Sequence, residues 1–190
     1  MKAGFSRAAL ILFSVAIGSL AGCSTSTPPT APAPTTKSDP AVAVPAANVS
    51  LNDLDEAKFK TWLEQQKGTV VVIDFWATWC GPCVKLIPHT VEVAHTYRDK
   101  GLVTATVSLD DLDNREEVIK FLQSKGADTT NFISTIGGGG GIAEPFEFFA
   151  IPDGSIPCFK VYDRQGNLRQ TLDAPEEPAF SKLIETLLAE

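Results

Sequence analysis

The sequence predicts an α/β fold in which a central mixed sheet carries helices on both faces. Three observations lead there. The run Val70-Val71-Val72-Ile73-Asp74-Phe75-Trp76 is apolar and β-branched without alternation, as a strand buried on both faces should be. Directly after Cys83 the period changes, and Val84, Ile87, Val91 and Ala94 fall on one helical face. Further on, strand-like and helix-like segments alternate and end in a hairpin and an amphipathic helix, an order that suits a mixed sheet with a right-handed β-α-β crossover.

In chain order, the first segment reads as a targeting signal. Lys2 and Arg7 form a positive start, and Ala8 to Leu20 is apolar but short for a membrane span. It ends in Leu20-Ala21-Gly22-Cys23, which looks like a bacterial lipobox; residues 1–22 are the expected signal peptide and Cys23 the expected lipidation site. Residues 23–48 then form a tether. Prolines 28, 29, 32, 34, 40 and 45 oppose helix and ladder pairing, and the Pro/Thr/Ala-rich composition has little apolar surface to offset ordering entropy. At ~3 Å per residue such a linker reaches several tens of Å. The expected address is the extracytoplasmic, periplasmic side of a bacterial envelope, where disulfides persist.

Residues 49–190 make the folded domain. Asp53-x-x-Glu56 reads as a capping box, followed by a stripe of Leu54, Phe59, Trp62 and Leu63 that ends near Gly68. After the central strand and its helix, in which Pro88 is expected to produce a kink, Gly101 breaks the chain and Leu102 to Leu109 reads as a second strand. Residues 110–114 form a loop and cap, and Glu116 to Lys125 a helix with Val118, Phe121 and Leu122 inward. Residues 127–155, with glycines 137–141 and then Phe146, Phe148 and Phe149, read as a flexible surface insertion, the alternative being an exposed apolar lip. No Gly-Lys-Ser/Thr follows the glycines, which excludes a phosphate loop. Ile156 to Asp163 is a strand, Gln165-Gly166-Asn167 a hairpin turn, Leu168 to Leu172 its partner strand, and Phe180, Leu183, Ile184, Leu187 and Leu188 mark the last helix.

The chemistry concentrates at Cys80-Gly81-Pro82-Cys83. A helix start presents unpaired N–H groups and the positive end of the macrodipole, so a cysteine there ionises more easily than a free thiol, and the thiolate is the nucleophile. The segment Phe75-Trp76-Ala77-Thr78-Trp79-Cys80-Gly81-Pro82-Cys83, with Pro88 five residues on and Asp74 just before, closely resembles the thioredoxin family, over roughly Leu51 to Glu190 with one long interruption. The resemblance implies a thioredoxin-like fold and thiol–disulfide oxidoreductase activity, most readily as a reductase. It makes Cys80 the attacking and Cys83 the resolving cysteine, and Asp74 a buried acid of raised pKa that moves a proton for Cys83. It also implies a cis Ile156-Pro157 bond facing Cys80, and a substrate surface of Trp79, Gly81, Pro82, Ile156 and Pro157. The lipid anchor, address and insertion resemble those of relatives that reduce disulfides for cytochrome c maturation or repair.

Two positions depart from the family pattern. Thr106 stands where a lysine often pairs with the buried acid, and Cys158 follows the expected cis proline where threonine is common. Cys158 is expected to point into the core and be inert. Trp76 reads as packing, and His89 and His95 as surface or boundary residues. The competing readings are a metal (copper) binding module using Cys80, Cys83 and Cys158 or a histidine, and a peroxidase, which Ala77 disfavours because that chemistry needs a threonine three residues before the cysteine. Expected partners are protein thiols and disulfides, an unnamed upstream electron donor, and the membrane through the anchor. No cofactor or metal is expected beyond the redox-active Cys80–Cys83 disulfide, and the expected state is a monomer. The net charge of −7, or −9 once residues 1–22 with Lys2 and Arg7 are removed, argues against nucleic acid.

Overall fold

The computed structural model describes residues 49–137 and 143–190. The expected signal peptide, Cys23, the tether and glycines 138–141 lie outside the described residues. The elements are β1 (Leu51–Leu54), α1 (Glu56–Gln65), β2 (Val70–Trp76), α2 (Gly81–Tyr97), β3 (Leu102–Ser108), α3 (Arg115–Ser124), β4 (Thr130–Ser134), α4 (Ala143–Phe148), β5 (Cys158–Tyr162), β6 (Leu168–Leu172) and α5 (Ala179–Ala189). They build one six-stranded sheet in the order β1-β4-β3-β2-β5-β6. β1, β4, β3 and β2 run parallel to their neighbours, while β2–β5 and β5–β6 are antiparallel.

The centre of the sheet is β2, whose seven residues are all buried. Its side chains alternate between two cores, as strand geometry requires. Val71, Ile73 and Phe75 join Ala105, Val107, Cys158 and Tyr162 under α1 and α4. Val70 and Val72 join Phe159, Val161 and the inner residues of α2 and α5, Phe180, Ile184 and Leu187 among them. At the C-terminal end of β2, Trp76 packs with Ile87 and Val91 of α2 and with Val118 and Leu122 of α3. Each fully buried aliphatic or aromatic side chain here contributes about 1.5–3 kcal/mol relative to exposure, so β2 is a rigid base for whatever follows Trp76.

Three expectations need correction. The cap of α1 is Asp55, whose Oδ1 accepts a hydrogen bond from the Lys58 N–H at 2.8 Å. Asp53 lies in β1 and its carboxylate pairs with Arg115. Leu54 is therefore no part of the helical stripe but a buried β1 residue. The described residues of the stretch 127–155 largely belong to the fold. Thr130–Ser134 is the strand between β1 and β3, and Phe146, Phe149 and Ile151 are buried against the sheet, with Phe149 packed on Phe59 and Phe75. Pairing on both sides of that strand and a covered sheet face bury this apolar surface, so Phe146 and Phe149 form no exposed lip. α2 continues through Pro88, whose missing N–H leaves the Val84 carbonyl without its helical partner.

Candidate functional site

Cys80 is the N-cap of α2, in extended conformation, and its Sγ accepts a hydrogen bond from the Cys83 N–H at 3.3 Å. Its carbonyl accepts from the Val84 N–H, and Pro82 sits in the first turn, where a missing N–H costs nothing. Cys80 and Cys83 are joined by a disulfide, with Cα atoms 5.3 Å apart. Both are buried, Cys80 at 6% exposure and Cys83 at 1%, so what little access there is favours the sulfur of Cys80. Beside them Trp79 is 54% exposed, a large apolar side chain left in solvent at the rim. Gly81 and Pro82 are exposed at the same rim.

The loop that carries Cys80 is fastened from β3. The buried carboxylate of Asp110 accepts the Thr78 N–H at 3.1 and 3.0 Å, and also the Thr78 hydroxyl. It takes a further bond from the Ser108 hydroxyl at 2.7 Å. The Leu109 N–H donates to the Trp76 carbonyl, and the Cys80 N–H closes a turn on Ala77. From the other side comes the segment before β5. The Ile156-Pro157 bond is cis, and the Ile156 carbonyl oxygen lies 3.6 Å from Cys80 Sγ. Each expected substrate-surface residue is thus at the disulfide or one residue from a group that touches it.

Asp74 is 1% exposed and lies on the α2 side of β2. Burial pushes its carboxyl up to about 7, opposed by a hydrogen bond from Thr90. That bond runs from Thr90 Oγ1 to Oδ2 at 2.6 Å, while Oδ1 has no partner among the described residues. Thr106 is the register neighbour of Asp74, but its hydroxyl donates to Asn131 Oδ1 at 2.9 Å, so it does not replace the family's lysine. Cys83 and Thr90 are seven residues apart on the same buried face of α2, about 10 Å along the axis.

Cys158 stands opposite Phe75 in the β2–β5 ladder. Opposed side chains share a face, so the thiol points to the α1/α4 core, away from Asp74. It is free and fully buried, and burial raises its pKa to about 11. His89 Nε2 lies 3.5 Å from Glu177 of the α5 side, and His95 Nε2 lies 2.7 Å from Asp128; neither joins the cysteines. Among the described residues no group of three His, Cys, Asp or Glu side chains is placed to hold a metal ion. Sequence reasoning missed Asp110, which read as a loop cap, and Thr90, although its helical spacing from Cys83 and Ile87 marked it as inward-facing.

This is a dithiol/disulfide site at a helix start on a mixed α/β sheet, and the chain that carries it is similar to known proteins. Residues 50–131 match the thioredoxin family model. A thiol-disulfide oxidoreductase ResA from Bacillus thuringiensis (strain Al Hakam) is 35% identical over 68 residues, 36% of this chain and 38% of the relative. A thioredoxin from Coprinus comatus is 34% identical over 70 residues, 37% of this chain and 62% of that one. The match thus spans little more than a third of the length of the ResA relatives. Among solved structures, a thiol:disulfide interchange protein from Chlorobium tepidum TLS superposes with a TM-score of 0.54 at 25% identity, covering 66% of this chain and 83% of that one. The thioredoxin domain of a Bacteroides vulgatus oxidoreductase, at TM-score 0.54 and 19% identity, speaks for the fold alone. Residues 50–131 are thus similar to the thioredoxin family, and the described fold is thioredoxin-like.

Proposed function

We propose that this protein is a thiol–disulfide oxidoreductase, acting as a reductase on exported proteins through the Cys80–Cys83 dithiol. The observation that carries the proposal is the position of Cys80. It caps α2, where the first-turn N–H groups favour a thiolate, and it faces the Ile156 carbonyl beside an exposed Trp79. In the reduced protein, the Cys80 thiolate attacks a substrate disulfide, forming a mixed disulfide and releasing one substrate thiolate. Cys83 loses its proton to Asp74, attacks Cys80 Sγ, and releases the second substrate thiolate. The Asp74 proton passes to that leaving sulfur. The substrate disulfide is reduced to one thiolate, which takes a proton from solvent, and one thiol, and the dithiol is oxidised to the disulfide seen here.

Trp79 and Pro157 supply apolar surface for the substrate backbone around its disulfide. The Gly81-Pro82 pair between the cysteines supports the reducing direction by its likeness to reducing thioredoxins. The N-terminal sequence supports an extracytoplasmic address, with Cys23 lipidated and residues 23–48 spanning the gap to the domain. No described helix is long and apolar enough to cross a membrane.

The metal-binding reading is weaker, because Cys158 and the Cys80–Cys83 pair belong to different faces of the sheet. The test is turnover of a protein disulfide by the full chain with a chemical reductant. Cys80→Ser should abolish it. A Cys80→Ser protein that reduces at the wild-type rate would refute the assignment.

A further inference from the structure

Among the described residues Asp74 has a single side-chain partner, Thr90. In a helix interior a threonine hydroxyl ordinarily bonds the carbonyl of the preceding turn. For Thr90 that carbonyl is Leu86, at 3.4 Å, whereas Asp74 Oδ2 is at 2.6 Å. A hydroxyl has one proton to give, and the shorter, charge-assisted contact takes it. The other carboxyl oxygen, Oδ1, is buried and unpartnered. An orphaned oxygen in such a place is costly unless the group is protonated there or exchanges a proton.

We propose that Thr90 is the positioning residue of the buried acid: by holding Oδ2 it reserves Oδ1 of Asp74 as the atom that takes the proton from Cys83 and returns it to the departing sulfur. This rests on the oxidoreductase reading above. The step is a proton transfer only. The Cys83 S–H bond breaks and the Oδ1–H bond forms, through one water where the gap requires it; in the return step the leaving substrate thiolate takes that proton. Oδ2 keeps its hydrogen bond throughout, so the carboxyl does not rotate between the two states.

The surroundings leave Thr90 as the tuning group. From α2, Cys83 and Thr90 share the inner face, and from β3 the Thr106 hydroxyl is committed to Asn131. From β5 the register neighbour is Phe159, while the titratable Cys158 and Lys160 belong to the strand's alternate positions, Cys158 in the opposite core and Lys160 donating to the Ala150 carbonyl. On the α5 side, Glu177 faces His89 and Glu185 accepts from Tyr97. The family's lysine is absent, and a neutral hydroxyl does its work from the helix instead of the sheet. A donor to the carboxylate favours the charged form, so its loss should raise the pKa further above the present value of about 7.

The experiment uses the full chain with Thr90→Val, Thr90→Ala and Thr90→Ser. Valine keeps the shape and removes the hydroxyl; alanine serves if valine disturbs folding. In the oxidised protein the γ-carboxyl of Asp74 is titrated by carbon-13 NMR, its signal assigned by loss in Asp74→Asn. Thr90→Val and Thr90→Ala should move the titration up by about one pH unit, a tenfold change in the ionisation constant. The pH profile of single-turnover disulfide reduction should move with it, and Thr90→Ser should restore both. An unmoved carboxyl titration, no restoration by serine, or a moved titration with an unmoved rate profile would each overturn the proposal. Wild-type protein without reductase activity would instead overturn the oxidoreductase reading, while the NMR shift still reports on the Thr90–Asp74 contact.

Discussion

Replacing Asp74 by asparagine should change the pH dependence of stability in a direction opposite to that of most carboxylates. The folded carboxyl has a pKa of about 7 against a model value of 3.8. Between those values the folded state binds more protons than the unfolded one, so stability falls as pH rises. The contribution is fully present below about pH 4 and gone above about pH 7. Three units at about 1.4 kcal/mol each give about 4 kcal/mol across the window. Asparagine keeps an acceptor for the Thr90 hydroxyl but cannot ionise. It also buries amide hydrogens without known partners, a cost of about 1–3 kcal/mol that does not depend on pH and so cancels between pH values. The assay is urea unfolding of the oxidised wild type and of Asp74→Asn from pH 4 to pH 8. Wild type should lose up to about 4 kcal/mol relative to the variant over that range. Parallel curves would refute burial of an ionisable carboxyl at this position.

Three other outcomes follow. Asp110→Ala removes the acceptor of the Thr78 N–H and hydroxyl. It should lower the stability of the oxidised protein by about 2–3 kcal/mol in urea unfolding and slow reduction, since the loop presenting Cys80 loses its anchor. Cys158 should resist alkylation in the native protein while Cys80 and Cys83 react after reduction; labelling of Cys158 before unfolding, read by peptide mass, would contradict its placement. Protein isolated from its native membrane should carry lipid on Cys23 and lack residues 1–22, and an unmodified Cys23 in the intact mass would refute the anchor.

The parts of the fold that were legible are those where local chemistry and tertiary context agree. The unbroken apolar run of β2 needs two covered faces, and the structure covers both. The cysteines, the change of period and Pro82 together mark the start of α2, and the structure begins that helix at Gly81. Legibility fails where pairing is long-range. β1 has only four residues, one of them buried, and it is a strand because β4 lies beside it, about eighty residues away in sequence. Asp53 and Asp55 offer equal capping chemistry, and only that pairing decides between them. Gly137 and the glycines after it suggested a surface excursion, but β4 precedes them and Phe146 and Phe149 turn inward after them. At the site, the cysteines, Trp79 and the Ile156-Pro157 segment were readable from motif. Asp110 and Thr90 were not, since each acts through a contact between elements that meet only in the folded chain.

The most direct measurement of the division of labour between the cysteines is the mass of the adduct formed by Cys83→Ser with a disulfide-bonded peptide. With the resolving thiol gone, the reduced variant should accumulate a one-to-one mixed disulfide, and peptide mapping should place it on Cys80. Rapid turnover without an adduct, or an adduct on Cys158, would contradict attack by the sulfur that caps α2.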